Sequence, residues 1–121
     1  MNYSLINTEY LDSVSGGDNE IIIEIVGIFR EQVVEIYNEM KSLLDKKNYH
    51  SLGMLAHKAK SSVAIMGMND LTLMLKTFEL QAKEGKSPEE YINYISRFQK
   101  ETAEALVELD DFINNRKNQK K

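Results

Sequence analysis

The stretch DNEIIIEIVGIFREQVVEIYNEMKSLLD, residues 18–45, decides the fold. Its apolar residues Ile22, Ile25, Val26, Phe29, Val33, Ile36, Met40, Leu43 and Leu44 fall in one stripe when successive residues are turned by about 100°. The β-branched run Ile21, Ile22, Ile23 invites a strand, but the helical stripe continues for about six turns beyond it. Period therefore outweighs propensity. Asp18 or Asn19 can cap the start, and Lys46, Lys47 and Asn48 mark the end.

Beyond this helix, a second pattern runs from Tyr49 to Gly67, with the glycine as its C-terminal cap. Asn69 is predicted to cap a third helix that ends at Gly85, with Leu71, Met74, Leu75, Phe78 and Ala82 on one face. Leu73 and Leu80 lie on the opposite face, which predicts a helix buried on two sides. Ser87-Pro88-Glu89-Glu90 then reads as a start signal, with serine at the N-cap, proline at the first helical position and glutamate at the third. The helix that follows buries Tyr91, Ile95, Phe98, Thr102, Ala105, Leu109 and Phe112.

The predicted fold class is all-α: an antiparallel up-and-down four-helix bundle over residues 18–115. A short additional N-terminal helix over residues 8–14, carrying Tyr10, Leu11 and Val14, would cover one end. Residues 114–121 form a polar, basic tail that is expected to fray, with Arg116, Lys117, Lys120 and Lys121 as a solubilising end. There is no internal repeat and no low-complexity linker, so residues 1–121 read as one domain.

Composition excludes several functions. The 121 residues, 42% hydrophobic and 28% charged, suffice for a single core and argue against intrinsic disorder. Nineteen acids against fifteen bases give a net charge of −4, which disfavours nucleic acid as a partner. With no cysteine there are no disulfides, thiolate zinc sites or cysteine nucleophiles. Met1 to Glu9 lack the features of a signal peptide, and no apolar run is long enough to span a membrane. A monomeric cytoplasmic protein is expected.

One residue stands out against this background. Leu52, Leu55, Ala56, Ala59, Val63 and Met66 form a compact core-facing arc, and His57 lies about 160° from its centre. His57 therefore projects outward and is not a core histidine. Gly53 lies one turn before it, Ser61 one turn after and Ala64 two turns after, so small side chains clear an approach for a partner. Glycine inside a helix costs about 1 kcal/mol relative to alanine, so Gly53 needs a local reason. Lys60, at i+3, can place its ammonium beside a group attached to His57. Met54, Ile65 and Met68 border the strip with adaptable apolar surface. Gly53, Met54, Ser61, Ala64, Ile65 and Met68 together form the predicted docking face. A nucleophilic imidazole, a neighbouring cation and a cleared, sticky approach suit transfer of an anionic group between proteins. A metal centre does not fit: His50 lies roughly 10 Å from His57 along the helix, and neither histidine has a glutamate three residues before it.

The run Ala56-His57-Lys58-Ala59-Lys60-Ser61-Ser62, followed by Gly67, resembles the histidine-containing phosphotransfer (HPt) domain of two-component phosphorelays. The family's histidine falls on His57, its lysine on Lys60, its serine on Ser62 and its helix-ending glycine on Gly67. A glutamate or glutamine on the following helix, hydrogen-bonded to the imidazole in many members, falls on Glu79. Two departures are visible: Ser61 replaces the glycine four residues after the histidine, and Ala59 is smaller than the usual apolar residue. Ser61 bears on the choice of partner more than on activity.

The resemblance implies a carrier that accepts a phosphoryl group on His57 Nε2 from a receiver-domain aspartate and passes it to another receiver. Glu79 would fix the tautomer through Nδ1, Lys60 would offset the phosphoryl charge, and Ser62 and Gly67 would be structural. It implies receiver domains of response regulators or hybrid histidine kinases as partners. No nucleotide or other cofactor is implied on this chain; Mg2+ belongs to the receiver. Such a protein is a covalent carrier without independent kinase activity. The alternative is a docking module that binds receiver or kinase domains and whose histidine is never phosphorylated. Met1 suggests a free-standing protein over a domain cut from a hybrid kinase.

Overall fold

In the computed structural model, which describes residues 3–119, Asp18 accepts a hydrogen bond from the Glu20 N–H at 2.9 Å and opens a helix of 27 residues. This helix is α2 (Asn19–Asp45), preceded by the short α1 (Glu9–Ser15). It is followed by α3 (Tyr49–Ile65), α4 (Asn69–Glu84) and α5 (Tyr91–Gln119). Among the described residues there is no strand, and one 3-10 turn, Pro88–Glu90, leads into α5. The fold is an all-α helical bundle in which α3 lies closest to α4, and α2 packs on α5 and α3.

The apolar stripe of α2 is buried as its period requires. Ile22, Val26, Phe29, Val33, Ile36 and Met40 are in the core, while Ile25, Leu43 and Leu44 are partly covered at its edge. Leu52, Leu55, Ala56, Ala59 and Val63 of α3 meet Leu71, Leu75, Phe78 and Ala82 of α4 and Tyr91, Ile95, Phe98, Ala105 and Leu109 of α5 in one cluster. Fully burying a large aliphatic or aromatic side chain is worth about 1.5–3 kcal/mol, so this shared core outweighs any single cap. Tyr91 also closes the α4–α5 connection, because its hydroxyl is shared between the carbonyls of Gln81 and Lys86.

The structure corrects four local expectations. Leu73 and Leu80 are 64% and 56% exposed, because α4 buries one face only and no element among the described residues covers the other. Met68, not Asn69, is the N-cap of α4, and no side chain caps that terminus. Ser87 does not cap α5: its backbone is left-handed (φ 54°) to turn the chain, and it is the Ser87 carbonyl that accepts from Glu90 N–H. The chain does not fray at residue 114. Helix α5 runs on to Gln119, and Arg116 donates to Asn19 Oδ1 at 2.8 Å, Asp12 Oδ1 at 3.0 Å and the Gly17 carbonyl at 2.8 Å. A guanidinium with five fixed donors can bind three acceptors at once, which ties the end of α5 to α1 and the start of α2. The side chain of Lys117 and all of Lys120 and Lys121 lie outside the described residues.

The segment before α1 is equally well anchored. Glu108 Oε1 accepts from the backbone N–H groups of Leu5 (3.0 Å) and Ile6 (3.3 Å). Asn7 N–H donates to the Met66 carbonyl at 3.1 Å. The Tyr3 ring meets Phe112 edge-on, with centroids 6.4 Å apart. Ile6 of this strap and Leu11 of α1 are buried.

Candidate functional site

Local chemistry at the α3–α4 turn brings the site together. Gly67 takes φ +70°, and a Cβ there would stand 2.5 Å from the Asn7 carbonyl oxygen, so both its handedness and its lack of a side chain are required. Its N–H donates to the Ala64 carbonyl, and Met68 N–H donates to the Val63 carbonyl, which ends α3 and returns α4 alongside it. This return sets Glu79 against His57, 22 residues apart in sequence.

His57 projects outward with its side chain 59% exposed, while the Glu79 side chain is only 9% exposed. The imidazole Nδ1 lies 2.9 Å from Glu79 Oε2 and 3.1 Å from Oε1. Lys60 Nζ donates to Oε1 at 3.0 Å, and Lys83 Nζ donates to Oε2 at 2.7 Å. Burial pushes the Glu79 carboxyl up, but hydrogen bonds from Lys83, Lys60 and His57, with the charge of Lys60, outweigh it and hold the group at about 2. Glu79 is therefore a carboxylate at neutral pH and can only accept. Nδ1 must then carry the hydrogen, which leaves the lone pair of the neutral ring on Nε2, facing away from Glu79. With the imidazole neutral, one carboxylate and two ammonium groups give the constellation a charge of +1.

The sequence-predicted residues divide into three groups. His57 and Lys60 both contact Glu79. Met54, Ser61, Ala64 and Ile65 are exposed on the outer side of α3, with Met54 at 56%. Gly53 and Met68, expected on that docking face, are buried instead. Met68 belongs to the core because it sits in the turn that folds α4 back. Gly53 faces α4: a Cβ on it would approach Lys83 Cγ to 2.8 Å and Glu79 O to 3.0 Å, so its smallness admits the neighbouring helix. Ser62 is turned inward and donates to Gln32 Oε1 at 3.0 Å, joining α3 to α2. The Lys60 side chain is 25% exposed and is bound to Glu79.

Lys83 escaped the sequence reading. The signal was present, since a glutamate four residues before a lysine on one helix is a standard pairing. His50 is exposed at the start of α3. Among the described residues no group of His, Asp and Glu side chains is arranged to hold a metal ion. A cavity of about 490 Å³ between the N-terminal strap, the start of α4 and the middle of α5 has mixed charge, and its lining includes neither His57 nor Glu79.

Fold and site thus define a helical module that presents one carboxylate-held imidazole on its surface. The chain matches the Hpt domain family model over residues 24–119, and it belongs to that family, the phosphotransfer modules of phosphorelays. Comparison with curated proteins and with solved structures gives no match. No helix among the described residues is long and apolar enough to cross a membrane.

Proposed function

We propose that this protein carries a phosphoryl group on His57 Nε2, taken from the aspartyl phosphate of a receiver domain and passed to a second receiver. The observation that carries this reading is the exposed imidazole bound through Nδ1 to an ionised, buried carboxylate. In the accepting step the Nε2 lone pair attacks phosphorus. The N–P bond forms as the P–O bond to the receiver's aspartate breaks, and that carboxylate leaves with the electron pair. Nδ1 keeps its hydrogen, so the neutral ring becomes a phosphoimidazolium facing Glu79. A carboxylate binds this cation more strongly than the neutral ring, so Glu79 stabilises the charge that develops during transfer. Return transfer regenerates the neutral imidazole as leaving group, and no proton needs to enter or leave in either direction.

Lys60 offsets the phosphoryl charge, which is close to two negative charges at neutral pH, by turning from Glu79 Oε1 towards the new group. The divalent cation and most of the transition-state stabilisation belong to the receiver in this reading. Met54, Ser61, Ala64 and Ile65 form the surface on which that receiver docks. The chain acts as a carrier and does not turn over as an isolated enzyme. Incubation with a phosphorylated receiver tests this directly. An acid-labile phosphoryl group should appear on the wild-type chain and not on His57→Gln. Stable binding to the receiver with no phosphoryl group on the chain would replace the carrier by a docking module.

A further inference from the structure

Glu79 accepts from three donors, and the transfer just proposed uses only two of them. The third, Lys83, stands one turn further along α4 and reaches Oε2, the oxygen closer to His57 Nδ1, whereas Lys60 reaches Oε1. The lysines therefore divide the carboxylate between them. Their supports also differ. Lys60 extends from α3, three residues after His57, while Lys83 lies along the surface of Gly53, whose missing Cβ would meet its Cγ at 2.8 Å and its backbone N at 2.9 Å. Gly53 lies one turn before His57, so a glycine that first suggested a cleared docking face instead makes room for the Lys83 stem.

We propose that Lys83, seated over Gly53, is a positioning residue for the phosphotransfer: it keeps Glu79 ionised and bound to His57 Nδ1 while Lys60 turns to the phosphoryl group. The proposal rests on the reading of His57 as acceptor. A dianionic group on Nε2 competes with Glu79 for the nearest mobile ammonium, and charge-assisted bonds to phosphate oxygens are strong. Once Lys60 turns, a carboxylate as buried as Glu79 would have only the His57 ring to hold it, and an under-paired buried charge is costly. Lys83 prevents this because it holds the other oxygen and its stem is packed against the backbone of α3. Glu79 then stays in place in both the empty and the loaded protein, and Nδ1 keeps its hydrogen throughout.

The test uses Lys83→Met and Lys83→Arg in the full chain, with phosphoramidate as a small donor that needs no docking. Nitrogen-15 NMR of the phosphorylated protein reads the hydrogen bond at His57 Nδ1. Wild type should show one hydrogen-bonded Nδ1–H, Lys83→Met a mixture of bonded and unbonded forms, and Lys83→Arg the wild-type pattern. Phosphorylation of His57 by phosphoramidate should slow by about tenfold in Lys83→Met and recover in Lys83→Arg. Circular dichroism should show the bundle intact in all three. If wild type is phosphorylated and Lys83→Met matches it in both the Nδ1 hydrogen bond and the rate, Lys83 is a surface lysine and the proposal is wrong. If wild type takes no phosphoryl group from phosphoramidate or from a phosphorylated receiver, the reading of His57 falls and this proposal falls with it.

Discussion

The imidazole of His57 and the carboxylate of Glu79 sit on opposite sides of a helix–helix seam and meet at 2.9 Å, one largely in water and the other almost wholly removed from it. An orienting group that is buried and clamped cannot drift to another acceptor. The site is thus arranged before any partner arrives, and such preorganisation is where enzymes and carriers gain most of their electrostatic advantage.

Replacing His57 by glutamine should leave helicity and melting temperature close to wild type, because the side chain is mostly exposed and a glutamine amide can still donate to Glu79. Acid-labile phosphate incorporation should disappear. A loss of several degrees in melting temperature would mean that the imidazole supports the fold.

Lys60→Ala should slow transfer from a phosphorylated receiver by one to two orders of magnitude, about 1.4–2.7 kcal/mol of lost stabilisation. It should also cost about 1 kcal/mol in folding stability, since it removes a donor from a buried carboxylate. Stopped-flow transfer and urea denaturation separate the two effects. Equal transfer rates would remove Lys60 from the mechanism.

Acid should weaken the fold through Glu79. Its carboxyl group falls from 4.5 to about 2 on folding, so its contribution is complete above pH 4.5 and disappears as pH drops towards 2. That contribution is on the order of 3 kcal/mol at most. Urea midpoints measured from pH 6 to pH 2 should fall more steeply for wild type than for Glu79→Gln. Parallel curves would show that the three donors do not stabilise the ionised form.

Ser61→Phe should block phosphorylation by receivers while phosphoramidate still modifies His57. Ser61 is exposed one turn beyond the imidazole, and about 1 Å of displacement in a transfer geometry can cost on the order of a hundredfold. Ser61→Gly should transfer normally, with about 0.5–1 kcal/mol lost in helix stability. Normal receiver kinetics in the Phe variant would move the docking surface elsewhere.

Much of this molecule was legible in its sequence because the information is periodic. The α2 stripe and the outward angle of His57 need only the helical repeat, and both appear at the expected places. What escaped depends on contacts between elements. Gly53 has the same composition whether it faces solvent or α4, and only the crossing of α3 with α4 distinguishes the two. Met68 looked like rim because its residue type suits one, yet the turn at Gly67 carries it inward. Leu73 and Leu80 show the converse, since nothing in a helix's own pattern tells whether a neighbour covers its second face. Arg116 was read as part of a frayed tail because its three acceptors lie about a hundred residues earlier.

That last feature bears on how the chain is made. Arg116 and Glu108 hold Gly17, Asn19, Asp12, Leu5 and Ile6, so the strap and α1 are fastened by the helix farthest from them in sequence. Contacts this distant along the chain carry the largest closure entropy and form late. On a translating ribosome, α2, α3 and α4 can dock as they emerge, but α1 and its strap lack the grip of Glu108 and Arg116 until α5 has left the exit tunnel. The nascent chain therefore passes through a stage in which the His57 seam can already be assembled while the N-terminal end remains open, and the emergence of α5 is the event that closes it.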